Sequence, residues 1–250
     1  MLFRSQVANL ALGAIGIGVS VAGLAVLSAK ISRIESRMDD ISIDLDRLAK
    51  GVESLRQDRI AEDFTRLRTT GEMMDEAWRL SDPGPQWRLV ATEAHAIANT
   101  FERRACELLD QGQELATVDP FLEGLALAAS TRVAARLAAG DDVVGSRAAE
   151  EGARALIKLG QRLQLSGATL REMRDGPVQP ASPEWGRALD GTADRLKPAF
   201  AALRDREAAA ASTVLTVREL GRQGIRGRAW LAAAREEEES PLLCLVPAET

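Results

Sequence analysis

The sequence predicts an all-α protein in three parts: an N-terminal transmembrane helix, a coiled-coil rod continuous with it, and a helical-bundle domain. Three observations carry this. Residues Ser5 to Ala29 hold no charged side chain. A heptad pattern starts directly behind them. After it, apolar residues recur at helical spacing between Pro/Gly-marked breaks, and no segment alternates like a strand. The parts run 1–30 (anchor), 31–80 (rod), 81–239 (bundle) and 240–250 (tail).

The anchor reads VANLALGAIGIGVSVAGLAVLSA from Val7 to Ala29. As a helix it is roughly 35 Å long at 1.5 Å per residue, enough for a hydrocarbon core of about 30 Å. A cleaved signal peptide is the rival reading, with Arg4 before the run and a small-x-small site at Gly23 and Ala25. Against it, the run exceeds the usual apolar stretch of a signal and passes into helical pattern without a turn. Ala14, Gly18 and Ala22 lie four apart, the small-residue spacing that lets membrane helices approach closely. Lys30, Arg33 and Arg37 outnumber Arg4 and the terminal amine, which places the C-terminal part in the cytoplasm of a single-pass protein.

The rod follows. Ile31, Met38, Leu45 and Val52 fall at heptad position a, and Ile34, Ile41, Leu48 and Leu55 at d. All eight seam positions are apolar, which predicts a homo-oligomer through a coiled coil. The register fails at Arg59 and Glu62, and a new stripe begins with Ile60, Phe64, Leu67, Met74 and Trp78. Such a phase change bends or ends a supercoil without ending the helix, so the 60–80 stripe can be lent to the domain behind it. Ser81-Asp82-Pro83-Gly84-Pro85 is the first hard stop.

Within the bundle, residues 86–116 carry Trp87, Val90, Ala94, Ile97, Phe101, Ala105 and Leu108 on one face. Asp119-Pro120 reads as the cap of the next helix, which ends at Gly140. Asp141-Asp142 opens another, with Leu156, Ile157 and Leu163 inward, until Ser166-Gly167. A short piece spans 168–174, and 175–183 is a Pro-rich loop. Ser182-Pro183-Glu184 starts a long helix, bent at Pro198 and running to Glu239. Ala208–Ala211 suits close helix packing, and the four tryptophans read as core. The tail's Leu242-Leu243-Cys244-Leu245-Val246 reads as a short docking segment.

Composition excludes several functions. Lys+Arg number 32 against 37 Asp+Glu, a net charge of −5, so no broadly basic surface awaits nucleic acid. Of the basic residues 28 are Arg and 4 Lys, the coding bias of a GC-rich, bacterial source. One His and two Cys make no ordinary zinc site, and neither a phosphate-binding loop, HExxH nor CxxC occurs. His95 has Glu93 two residues upstream, the wrong spacing for a helical di-metal site. Cys106 reads as a small buried residue. Arg218, Arg222 and Arg226 form one helix edge, read as a solvated face offset by Glu219. No catalytic, cofactor or metal site is expected.

The functional expectation is therefore a single-span, membrane-anchored scaffold or assembly protein, oligomerising through its coiled coil, with the lipid bilayer, its own copies and further proteins as partners. The alternative is a membrane-linked sensory or signalling helical domain responding to a small ligand.

Overall fold

The computed structural model describes residues 52–180 and 182–236. The anchor, its packing residues Ala14, Gly18 and Ala22, and the seam from Ile31 through Ile34, Met38, Ile41 and Leu45 to Leu48 lie outside the described residues, as does the apolar tail. Among the described residues no helix is long and apolar enough to cross a membrane.

The described chain is helical, without strands: α1 (Val52–Ala77), α2 (Gly84–Asp110), α3 (Leu115–Ala138), α4 (Asp142–Gly160), α5 (Leu165–Asp175), α6 (Trp185–Arg222) and α7 (Gly227–Glu236). Short turns make α1 to α4 successive neighbours. α6 packs on α4 and α3, and α5 packs on α6. α4 and α6 are antiparallel: Glu150 of α4 meets Arg218, whereas Gly160 at its other end meets Arg204.

α3 is the axis of the bundle. It touches α1, α2, α4, α6 and α7, and its sequence is apolar on nearly every face because nearly every face is covered. Two apolar clusters stack along it. The first joins Phe64, Leu67, Phe101, Phe121, Leu156 and Phe200. There the rings of Phe64 and Phe101 lie 4.8 Å apart, and a Cβ on Gly124 would come 2.9 Å from the Phe101 ring. The second joins Met74, Trp87, Val133, Val217, Trp230 and Leu231.

The phase change in α1 is accommodated within one unbroken helix. Its Phe64, Leu67, Met74 and Ala77 are buried and Ile60 partly so, as is Trp78 just beyond its end. The 60–80 stripe thus packs into the bundle against α2 and α3. Val52 and Leu55, the last two seam positions, stand on the first turn of this same helix.

Two helix boundaries differ from the expectation. Asp119-Pro120 is not a cap: α3 begins at Leu115, behind an extended Glu114 (ψ 164°) whose carbonyl accepts from the Thr117 and Val118 amides. Pro120 is the sixth residue of the helix, where its missing N–H leaves only the Ala116 carbonyl without its helical donor. Second, the long C-terminal helix does not reach Glu239 unbroken. It passes through Pro198 but stops at Arg222. Gly224 has φ +69°, and the Gly224 and Ile225 amides donate to Gly221 and Leu220 carbonyls, closing a Schellman turn. α7 then starts at Gly227, whose amide donates to Asp142 Oδ1 at 3.1 Å. A Cβ at Gly227 would lie 2.7 Å from Leu137 Cδ2, so only glycine lets the chain cross here. The reversal brings Trp230 and Leu231 onto the second cluster.

Candidate functional site

The clearest concavity lies between α3, α4 and α6, where the two clusters meet. It is a partly open cavity of about 400 Å³. Its origin is side-chain size. α3 and α4 approach closely because Gly152 faces Ala129, whose Cβ would be 2.8 Å from any Cβ at 152. α6 presents Ala202, Ala209 and Ala210, too short to fill the space left against that pair. Leu127 and Val133 of α3 and Leu156 of α4 close the apolar wall. Ala208–Ala211, expected to serve close helix packing, thus divides: Ala209 and Ala210 border open volume, and Ala208 faces solvent.

One end of the cavity is polar. Arg206 of α6 forms an ion pair with Asp119 Oδ1, with side-chain exposures of 19% and 9%. Its Nη1 also donates to the Asp119 carbonyl at 3.3 Å, and its Nε to the Ala202 carbonyl at 3.4 Å. All three guanidinium nitrogens are therefore engaged. Glu123 and Asp205 add carboxylates to the lining, and Asp205 makes no ion pair or hydrogen bond among the described residues. Thr213, also in the wall, donates to the Ala209 carbonyl at 2.9 Å.

Elsewhere, arginines join helix to helix. Arg204 Nη2 donates to the Gly160 and Leu163 carbonyls at 3.2 and 2.7 Å, covering the C-terminal end of α4. Arg171 Nη1 does the same for the Gly112 carbonyl after α2, at 2.6 Å. Arg104 and Asp63 tie α2 to α1 at 2.6 Å with both side chains largely covered.

The residues singled out for chemistry have structural surroundings. His95 is exposed on α2. Partial desolvation, then the positive charge of Arg132, hold its pKa below the usual histidine value; Glu151 opposes this and Arg136 adds to it. Arg132 is itself paired with Glu151 at 2.8 Å. Cys106 is half-buried, not buried as expected, because Arg162 and Asp110 flank it: Arg162 Nη1 lies 3.5 Å from Sγ and Nη2 is 2.7 Å from Asp110 Oδ1. Along the 218–226 edge, Arg218 pairs with Glu150 at 2.8 Å and Arg222 with Glu219 at 2.6 Å. Those bonds hold the Glu150 carboxyl below its ordinary range, and the Arg222 and Gln223 bonds bring Glu219 down to about 2. Trp87 and Trp230 are buried, Trp78 and Trp185 half-buried. Among the described residues no group of His, Cys, Asp and Glu is arranged to hold a metal ion.

No protein-family model, curated protein or solved structure matches this chain. The class it defines is an all-α helical bundle.

Proposed function

We propose that the chain is a single-span, membrane-anchored helical scaffold that oligomerises through residues 31–55. The charge-free run at 7–29 supports the anchor, and the eight-position seam supports the oligomer. The observation that carries the reading is what the bundle does with α6. Its stripe of Leu196, Phe200, Leu203, Ala210, Val214 and Val217, broken by Glu207, is the segment of the described chain that the sequence offers as an intrachain cover for the seam. That stripe is occupied: Phe200, Leu203 and Val217 are buried in the two clusters, and Leu196, Ala210 and Val214 pack against them. An apolar seam without an intrachain cover needs a second chain, and a membrane concentrates and aligns copies in parallel. α1 supports this link, because one helix carries the last two seam residues, Val52 and Leu55, and the buried Phe64–Ala77 face.

The test is membrane extraction. The full chain stays in the pellet after an alkaline carbonate wash and is released by detergent, whereas deletion of residues 1–30 makes it soluble. A full-length chain that is soluble without detergent sinks the anchor. The sensory alternative draws on a specific observation too, the cavity of about 400 Å³; it requires a ligand whose binding alters the rod.

A further inference from the structure

We propose that the cavity between α3, α4 and α6 is a binding site for a small apolar molecule bearing a cationic head, such as a bulky aliphatic amine. The inference goes beyond the anchoring role and uses none of residues 1–51.

Volume sets the body of the ligand. The cavity's 400 Å³ is about two to three times the ~150 Å³ of an apolar cavity that holds benzene. Its wall is alanine, glycine, leucine and valine over most of its extent, the lining of sites that take compact hydrocarbon groups. Charge sets the head. An anionic ligand would need an uncompensated cation, and the arginine among the described lining residues, Arg206, is already neutralised by its ion pair with Asp119. Among the described lining residues, Asp205 is a carboxylate outside that pair. Asp205, exposed and without an ion-pair partner among the described residues, is placed to meet an ammonium at the mouth while the hydrocarbon fills the interior. The local field favours a cation and disfavours a carboxylate or phosphate.

Three probes of one shape separate body from head: 1-adamantylamine, 1-adamantanol and 1-adamantanecarboxylate. Each is titrated calorimetrically into the full chain, with protein-free blanks in the same medium. The expected result is one site per chain for the amine, about tenfold tighter than for the alcohol, with the carboxylate weakest. Ala209→Leu and Ala126→Leu, two half-buried positions on different walls, fill the cavity. In each, helical circular dichroism is kept and amine affinity falls by about tenfold or more. Asp205→Asn keeps the alcohol's affinity and removes the amine's advantage. The proposal is overturned if none of the probes binds, or if the alcohol or carboxylate binds as tightly as the amine. It is equally overturned if both filled variants bind the amine unchanged, or if Asp205→Asn leaves its advantage intact.

Discussion

Arg206 and Asp119 lie 87 positions apart in sequence, yet their pairing fixes α6 against the start of α3. Both side chains are largely removed from water, so losing one partner strands a buried charge. Asp119→Ala should therefore destabilise the bundle by about 3 kcal/mol or more, read from a lower urea midpoint at unchanged slope. A midpoint shift no larger than that of an exposed-pair variant such as Glu150→Gln would show that the pair adds little. Nothing local in the sequence signalled this partnership. Asp119 before Pro120 has the pattern of a helix cap, and the cap reading hid its long-range role.

At the α6 end, Glu219 offers a pH test at single-residue resolution. Hydrogen bonds from Arg222 and then Gln223 hold its pKa at about 2, against an ordinary 4.5. A depressed carboxylate pKa stabilises the fold at pH above the unfolded value, and that stabilisation fades as pH falls from about 4.5 toward 2. The pair is solvent-exposed, so the effect on overall stability is small, but the titration itself is visible. Carbon-detected NMR should place the Glu219 carboxyl midpoint near 2, and Arg222→Gln should move it upward. A wild-type midpoint at the ordinary carboxylate value of 4.5 would contradict the bonded geometry.

At the scale of elements, the helices were legible where an apolar stripe keeps a helical period between Pro and Gly. α2 is the clearest case: of the face read as Trp87, Val90, Ala94, Ile97, Phe101, Ala105 and Leu108, the first six are buried and Leu108 is partly buried. The break between α6 and α7 was not read, although Gly221, Gly224 and Gly227 punctuate seven residues. Helical spacing continues across the break, and the need for glycine arises from Leu137 and Asp142, distant in sequence. The cavity was invisible for the same kind of reason. Alanines on one helix signal close packing, and only the positions of three helices together show that Ala209 and Ala210 border a space.

α1 gives the element-scale prediction. Its Phe64, Leu67, Met74 and Ala77 complete both clusters, and truncating even one buried leucine costs about 2–5 kcal/mol. A fragment of residues 57–250 should thus melt cooperatively and well above one of residues 86–250, which exposes the Phe101 and Trp87 faces of α2. Equal melting temperatures, followed by circular dichroism, would mean that the α1 stripe does not contribute to the bundle.

For the whole molecule, the proposed organisation is a seam and α1 joined in one helix with two different stripes. Toward the C-terminus, its stripe is covered by α2 and α3. Toward the N-terminus, the seam of Ile31, Ile34, Met38, Ile41, Leu45, Leu48, Val52 and Leu55 has the period of a supercoil, and the proposal gives it a second copy as cover. The heptad register of the sequence shifts between Leu55 and Ile60, so in this proposal the two stripes face different directions around the helix. One helix can in this way serve self-association and domain folding without competition between them. In this proposal, Asp substitutions at Ile41 and Leu45 in the seam leave the folded bundle untouched.

The most direct measurement is the mass of the detergent-solubilised full chain by light scattering, joined to chemical crosslinking, with and without the double substitution Ile41→Asp and Leu45→Asp. The scaffold proposal predicts a discrete oligomer for the native chain. It predicts a monomer of 26.9 kDa for the variant, with unchanged helical circular dichroism from the bundle. An oligomer that survives both substitutions, or a native chain that is already monomeric, would contradict it.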